Sequence, residues 1–284
     1  MEVVVRSNPA ENTSPSFSST NFEVLNLDQD ADRGADVRCL LTELRNERTD
    51  CPAYRRNLTQ FYESYIFPEF LKTLRKKDVE IMTAMKANYL GKMYERSHII
   101  ALEIPRAGTL PTDLLIDRIQ KLPGPDSNIN IAKAVIDIKR KEEGKSLSHV
   151  VNYSNLPEMG EAFRVAICDQ MLATGKTTAK AISILHDRYE KKIQNLFIGT
   201  VVGVPQGIQV IENTIRSLGI KTKLVVGAID DGLDEKSYIL PGLGDAGDRV
   251  SGVWRPNVLA PRFSFSSITL RGAVFEKQKL CTNG

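Results

Sequence analysis

The sequence is poor in the features that mark several large classes of protein. Its four cysteines, at positions 39, 51, 168 and 281, form no C-x-x-C pair and no zinc-type spacing with histidine. No apolar run approaches the roughly 18 residues of a membrane span, and the N-terminus lacks the apolar segment of a secretory signal. We therefore expect a cytoplasmic protein with reduced thiols, no structural zinc site and no membrane anchor.

The sequence also has little net charge. Its 38 Lys and Arg residues and 35 Asp and Glu residues leave a net charge of +3, and no basic block stands out. This balance argues against nucleic acid as a partner. A hydrophobic content of 42% and a charged content of 26% are ordinary for a soluble globular protein. The 284 residues suffice for one large domain with a sizeable core.

The most informative stretch is residues 164–178, which read R-V-A-I-C-D-Q-M-L-A-T-G-K-T-T. Its apolar run, Val165 to Cys168, predicts a buried parallel strand in which Cys168 is a small core residue. Asp169 follows where that strand should end, and ligands of α/β sheets bind outside the carboxyl ends of strands. The next turn starts at Ala173, contains Gly and Thr, and should lead into a helix.

This turn has the properties of a phosphate-binding site. Thr177 or Thr178 is the expected N-cap of the following helix, whose first turn offers unpaired N–H groups and the positive end of the helix dipole. The G-K-T ending also occurs in P-loops, but a P-loop needs a glycine where Gln170 stands. A P-loop would not place the carboxylate of Asp169 against its phosphates, whereas that carboxylate suits a ribose diol. We therefore expect a ligand that carries both a phosphate and sugar hydroxyls.

A second motif lies within residues 225–252, where Y-I-L-P-G-L-G-D-A-G-D-R is a long match of low redundancy. Together with D-Q-M-L-A-T-G upstream, it resembles the uracil phosphoribosyltransferase family of type I phosphoribosyltransferases. The resemblance covers roughly residues 38–252 and is strong from residue 98 onward. It implies an α/β fold with a mainly parallel twisted sheet, flanking helices, a helical N-terminal segment and a β-arm.

The predicted elements agree with that fold class, because strands alternate with helices. They are a strand that ends in a turn (98–108), a helix (Leu110–Gln120), strands at Ala134–Ile138, Asn195–Val204 and Leu224–Ile229, and a helix that runs from Pro205 and ends at Gly219. Residues 1–36 are expected to be a disordered or loosely packed extension. The resemblance implies that residues 37–252 form the phosphoribosyltransferase domain, and residues 253–284 would be a C-terminal extension to which we assign no function.

The segment before residue 98 is less regular. Residues 38–75 are predicted to be helical, and their aromatic stretch from Tyr54 to Tyr65 belongs to the core or to a partner surface. The resemblance implies that this opening segment helps to form a homodimer or higher homo-oligomer. Residues 76–97 fit no template.

The charged stretch that starts at Lys139 resembles the arm of the family. Alignment on Glu142 and Glu143 places Arg140 on the second arginine with which the family binds its phosphoribosyl donor. Lys139 and Lys141 flank Arg140, so a shift of one residue stays open.

The resemblance implies a site for phosphoribosyl pyrophosphate (PRPP). Arg106 and Arg140 would meet the pyrophosphate, Asp169 the ribose hydroxyls, and the turn after it the 5′-phosphate. The expected PRPP-binding residues are Arg106, Arg140, Asp169, Gln170, Met171, Leu172, Ala173, Thr174, Gly175, Lys176, Thr177 and Asp245. The sequence departs from the family at Pro105, Gln170 and Lys176, where the family has Leu, Pro and Gly.

The resemblance also implies a uracil-binding loop. Tyr238 would shape the pocket, and backbone groups of Ile239, Gly244 and Ala246 would bind the base, since close approach of the chain requires Gly and fixed turns. Asp245 would face PRPP. The reaction would convert PRPP and uracil into UMP and pyrophosphate, with Mg²⁺ held mainly by PRPP and water. The implied catalytic residues are Arg106, Arg140, Asp169 and Asp245.

Two other functions stay open. The protein could be a phosphoribosyltransferase for another base, although the unaltered base loop disfavours this. It could also be a catalytically impaired nucleotide-binding regulator or subunit, although Arg106, Asp169 and Asp245 are all present. A GTP effector is a further implication of the resemblance, because some relatives have one.

Overall fold

The computed structural model describes residues 18–19, 21–123, 129–143 and 146–253 of the chain. The strands are β1 Ser18–Ser19, β2 Phe22–Asn26, β3 Lys76–Met82, β4 Asn88–Tyr94, β5 Ser97–Glu103, β6 Ile129–Glu143, β7 Ser146–Asn155, β8 Phe163–Leu172, β9 Ile193–Gly203, β10 Thr222–Ile229, β11 Gly232–Leu233 and β12 Ile239–Leu240. The helices are α1 Gly34–Arg45, α2 Cys51–Phe61, α3 Phe67–Lys72, α4 Thr109–Gln120, α5 Lys176–Tyr189, α6 Pro205–Leu218 and α7 Ala246–Ser251. Short 3₁₀ or π turns lie at Leu27–Gln29, Tyr62–Ile66 and Glu190–Lys192.

One sheet organises the structure. Its eight strands lie in the order β1-β2-β10-β9-β8-β5-β6-β7. All neighbours from β2 to β6 in this order are parallel, and β1 and β7 are antiparallel edge strands. Parallel neighbours need crossover connections, and α4, α5 and α6 supply them. The predicted α/β fold class is confirmed.

The sheet is buried on both faces, which explains why β8 reads as a continuous apolar run. Val165 and Ile167 pack in a core with α5 and α6, whereas Ala166 and Cys168 pack in a second core with the N-terminal helices and α4. Cys168 is therefore the small core residue that its sequence context predicts, and it is a free thiol.

The predicted helical segment after residue 38 forms α1, α2 and α3. The α2 helix starts after Asp50, whose carboxylate accepts a hydrogen bond from the N–H of Ala53 (2.8 Å). Tyr54, Phe61 and Tyr62 are fully buried in the core between this segment and the sheet. Of the two interpretations of the aromatic stretch, the core is correct for these side chains.

The expectation of a loose extension over residues 1–36 is wrong for residues 22–36. Phe22 to Asn26 form β2, which pairs in parallel with Thr222 to Val226 of β10. The next apolar residue, Leu27, is fully buried, and α1 begins at Gly34. The short sequence F-E-V-L-N has too few residues to show a pattern by itself, so only its pairing with the distant β10 makes it a strand. Residues 1–17 lie outside the described part.

Two further segments differ from the predictions. Residues 76–94, which fit no template, form an antiparallel hairpin of β3 and β4, with Lys76 opposite Tyr94. The predicted strand Ala134–Ile138 is the middle of the longer β6, which with β7 forms the expected β-arm. The C-terminal extension lies outside the described residues from Trp254 onward.

The role of β2 can be tested with Phe22→Ala. Phe22 is buried against the core formed with α5 and α6. Removing its ring should lower the free energy of unfolding by about 3–5 kcal/mol. Glu23→Ala is the matched control, because the Glu23 side chain is 67% exposed, and it should change stability by less than about 0.5 kcal/mol. Equal midpoints in urea for Phe22→Ala and the wild type would show that β2 does not belong to the folded core.

Candidate active site

A cavity of about 730 Å³ opens at the carboxyl ends of β5 and β8. Four segments line it: the turn after β5 (residues 104–107), the arm (137–139), the end of β8 with the start of α5 (169, 171–175, 177 and 178), and the loop before α7 with the start of that helix (236–239, 245 and 247). Since parallel strands end at the same edge, segments distant in sequence meet here.

Asp169 lies on the wall of this cavity, within the last part of β8 rather than after its end. Its carboxylate accepts a hydrogen bond from the N–H of Gln170 (2.7 Å), and its carbonyl oxygen accepts one from the hydroxyl of Tyr62 (2.6 Å). Burial raises the pKa of Asp169 from 3.8 to about 7, although the N–H groups of Gln170 and Met171 oppose that shift. The carboxyl group is thus fixed in place and titrates near neutral pH.

The turn after β8 is built for an anion. Gly175, in the left-handed conformation (φ 70°), is the N-cap of α5, and no side chain caps the helix. The predicted N-caps Thr177 and Thr178 lie inside the first turn instead, because Gly175 reverses the chain before them. Both threonines line the cavity. The N–H groups of this turn therefore have no competing side-chain acceptor among the described residues and are available to phosphate oxygens.

The position of this turn depends on a close contact between two main chains. A Cβ atom on Gly207 would lie 2.2 Å from the carbonyl oxygen of Ala173, and one on Gly175 would lie 2.5 Å from that of Gly207. Only glycine fits at either place. Gly207 escaped the sequence analysis, although a glycine inside the first turn of an otherwise apolar-faced helix is a signal of close approach.

The turn after β5 carries Arg106. The side chain is 78% exposed, and its Nη1 lies 3.7 Å from the Oδ1 of Asp248. The guanidinium group has no strong partner among the described residues, Arg106 lines the cavity, and the group can therefore bind an anion such as pyrophosphate. The Pro105–Arg106 peptide bond is cis.

The loop between β10 and α7 is anchored by a partly buried ion pair. Arg45 of α1 forms a two-fold contact with Asp230 (2.6 and 2.8 Å) and also donates to the carbonyl oxygen of Gly242 (3.0 Å). Asp230 in turn accepts a hydrogen bond from the N–H of Gly242 (2.9 Å). The loop is thus fixed at its beginning and at its tightest point.

The predicted base-binding residues are brought to the same side of the cavity, but not all of them line it. Tyr238, Ile239 and Asp245 do. Gly244 is exposed and Ala246 is fully buried, and neither lines the cavity. Asp245 caps α7 by accepting a hydrogen bond from the N–H of Asp248 (3.0 Å).

Of the residues predicted to bind PRPP, some line the cavity and others do not. Met171, Leu172, Ala173, Thr174, Gly175 and Thr177 line the cavity. Lys176 is exposed and does not line it. Gln170 is also among the expected PRPP-binding residues, but its side chain is fully buried and does not line the cavity. The main chain of Arg140 lies in β6 opposite His149, and its side chain is outside the described part. Its neighbour Lys139, with Asp137 and Ile138, lines the cavity.

The described residues contain no group of three or more His, Cys, Asp or Glu side chains that could hold a metal ion. None of the described helices has the length and apolar character to cross a membrane.

The fold and the cavity define the class of protein: a parallel α/β protein with a helix N-terminus and a strand carboxylate arranged for a sugar phosphate. The particular family follows from comparison with known proteins. The profile described as "Uracil phosphoribosyltransferase" matches residues 33–252, and the chain belongs to this family.

Individual proteins of known name or structure are also similar to the chain. The chain is similar to the uracil phosphoribosyltransferase of Dictyoglomus thermophilum, with 32% identity over 76% of this chain and 95% of that protein. The protein of the same name from Sulfurisphaera tokodaii is 31% identical over 75% of this chain and 94% of its own length. Among solved structures, the AQ2163 protein of Aquifex aeolicus shares the fold, with a TM-score of 0.63 and 24% identity over 81% of this chain and 99% of that chain.

Asp169 should make stability depend on pH. Its folded pKa of about 7 lies above the unfolded value of 3.8, so its contribution is fully present below about pH 4 and is lost as pH rises through 7. Asp169→Asn removes this dependence. The stability of the variant relative to the wild type should therefore increase between pH 4.5 and 8, as measured by urea unfolding. A constant difference across this range would contradict the elevated pKa.

The arm can be tested with single alanine variants. Because Lys139 lines the cavity, Lys139→Ala should raise the KM for PRPP about 3- to 10-fold. Lys180→Ala is the matched control, since Lys180 is exposed on α5 and does not line the cavity. Arg140→Ala, measured alongside, tests the position that the alignment assigns. An unchanged KM in Lys139→Ala together with a raised KM in Arg140→Ala would assign the second cation to Arg140.

Proposed function

We propose that this chain transfers the phosphoribosyl group of PRPP to uracil, giving UMP and pyrophosphate. The observation that carries the proposal is the meeting of three features in one cavity. These are the uncapped N-terminus of α5, the carboxyl group of Asp169 and the loop that carries Tyr238 and Ile239. A phosphate, a sugar and a base have to be bound side by side in this reaction, and the cavity offers a suitable group for each.

The donor would bind along the edge formed by β5 and β8. The N–H groups of Ala173 to Thr177 would hold the 5′-phosphate, and Asp169 would accept hydrogen bonds from the ribose hydroxyls. Arg106, with Lys139 or Arg140 from the arm, would face the pyrophosphate. Negative charge accumulates on pyrophosphate as its bond to carbon 1 of the ribose breaks, so these cations would stabilise the transition state.

The base would bind beside the loop before α7. Ile239 is buried and Tyr238 is half exposed at the cavity wall, so the two can bound a flat ring while backbone groups pair with its polar edge. Asp245 lines the cavity between the two halves and would face the donor. Uracil would form its bond to carbon 1 as the bond between carbon 1 and pyrophosphate breaks.

The residues present fit a magnesium ion that the donor brings with it. Asp169 and Asp245 line the cavity as separate carboxylates, and Mg²⁺ commonly keeps several waters and uses one or two carboxylates together with substrate phosphates. When bound, the ion would neutralise charge on the pyrophosphate. Asp169 and Asp245 would hold it through its water molecules.

The remaining proposals concern location, assembly and control. The three described cysteines are free thiols, which supports a cytoplasmic location. The β3–β4 hairpin exposes apolar side chains such as Met85 and Leu90, which supports a homodimer or higher homo-oligomer. Control by GTP rests on the family resemblance alone.

The proposal is tested by pyrophosphate release from PRPP and Mg²⁺, with uracil, cytosine, orotate, hypoxanthine or no base. Release is expected with uracil alone. Arg106→Ala should lower kcat about 10²- to 10³-fold, because it removes a charge that acts on the leaving group. Arg188→Ala is the matched control, since Arg188 pairs with Glu158 on the surface.

Two outcomes would overturn the proposal. Release that is as fast with another base would assign a different substrate. No release with any base, combined with tight binding of PRPP or UMP in calorimetry, would show a nucleotide-binding protein without catalysis.

A further inference from the structure

Gln170 is a buried polar residue that the proposed chemistry does not use. It follows Asp169 directly, and its relative exposure is 0%. Its Nε2 donates a hydrogen bond to the carbonyl oxygen of Ala107 (2.8 Å), and its Oε1 accepts one from the hydroxyl of Tyr54 (2.8 Å). A carbonyl oxygen can only accept, so the amide has a single orientation and the tyrosine must donate. Both ends of the side chain are therefore engaged.

The bond to Ala107 holds the turn that carries Arg106. The turn is fixed a second time where Thr109 Oγ1 donates to the buried Glu103 (2.6 Å). The turn that carries Arg106 is thus anchored at Ala107 and joined across its two ends by Thr109 and Glu103, while the Arg106 side chain stays exposed. These two hydrogen bonds restrict the backbone of the turn but do not hold the guanidinium group itself.

Tyr54 connects this support with the base side of the cavity. It is fully buried on α2, and the guanidinium carbon of Arg249 lies 4.2 Å from its ring centroid. Arg249, in α7, donates to the carbonyl oxygens of Leu243 (2.9 Å), Asn46 (2.7 Å) and Leu44. A continuous series of contacts therefore runs from the base loop through Tyr54 and Gln170 to Ala107.

We propose that Gln170 is a positioning residue that holds the Ala107 carbonyl, and through it Arg106, in place for the donor's pyrophosphate, with Tyr54 fixing the amide from behind. The proposal rests on the proposed function, because it concerns binding of PRPP.

The test compares Gln170→Met, Tyr54→Phe and the double variant. Gln170→Met keeps the length of the side chain and removes both hydrogen bonds, so kcat/KM for PRPP should fall about tenfold. Tyr54→Phe removes one oxygen atom and should give a smaller loss. The double variant should be no worse than Gln170→Met alone, since both changes act through the same contact. The control Gln209→Met alters a glutamine on α6 that bonds only to Glu212 and Asn213 among the described residues, and it should keep wild-type kinetics.

Gln170→Glu separates positioning from mere stability. The ionised carboxylate still accepts from Tyr54 but opposes the Ala107 carbonyl, whereas the protonated acid can donate to that carbonyl as the amide does. Arg249 lies over the Tyr54 ring, and Asp169 and Asp245 are the nearby carboxyl groups, present in the wild type as well. The ratio of kcat/KM between variant and wild type should therefore rise as pH falls from 8 to 6. The ratio for Gln170→Met should stay constant.

The outcomes distinguish the two proposals. A wild type that releases no pyrophosphate overturns the proposed function and this proposal with it. An active wild type with unchanged kcat/KM in Tyr54→Phe and Gln170→Glu overturns only the role of Gln170. The same holds if the variants lose thermal stability while kcat/KM for PRPP remains at the wild-type value. Tyr54→Phe removes a single oxygen atom and keeps the test decisive if Gln170→Met does not fold.

Discussion

The parallel alignment of β5, β8 and β10 is the constraint on which the site depends. Each of these strands ends at the same edge of the sheet, and each is followed by a segment that lines the cavity. The turn after β5 supplies Arg106, β8 supplies Asp169 and the uncapped helix, and the chain after β10 leads into the base loop. An antiparallel arrangement would send neighbouring segments to opposite edges, and the three groups could not meet.

The site also requires that the buried polar groups next to this edge of the sheet have hydrogen-bond or ion-pair partners. The N-terminal helices supply several of them: Arg45 binds Asp230, Tyr62 donates to the carbonyl of Asp169, and Tyr54 donates to Gln170. These side chains reach through an otherwise apolar core. Because an unpaired polar group in such surroundings costs free energy, each pair also fixes the loop or turn that it contacts. The helices therefore define the site as well as cover the sheet.

Sequence reasoning succeeded where the information is local. The strand around Cys168, the turn at Gly175 and the helix that ends at Gly219 all follow from short motifs or hydrophobic patterns. It failed where the information is distant. The β2 strand is defined by its pairing with β10, and the need for Gly207 arises from contact with Ala173.

Two differences from the sequence expectations, the buried side chain of Gln170 and the N-cap of α5, both lie at irregular points of the binding motif. A residue inside a binding motif need not contact the ligand, because the motif contains both exposed and buried positions. Gln170 is turned to the core by two hydrogen bonds, and the helix begins one residue before Thr177 because Gly175 adopts a left-handed conformation. Spacing along the chain does not reveal the direction of a side chain at such irregular points.

The position of β2 also sets the order in which the protein can be completed during synthesis. Phe22 pairs with Thr222, which is added to the chain 200 residues later. At about 5–20 residues per second, β2 must wait about 10–40 s for its partner strand. The apolar residues Phe22 and Leu27 stay without their final environment throughout that interval. The first part of the main sheet to leave the ribosome is therefore among the last to find its place.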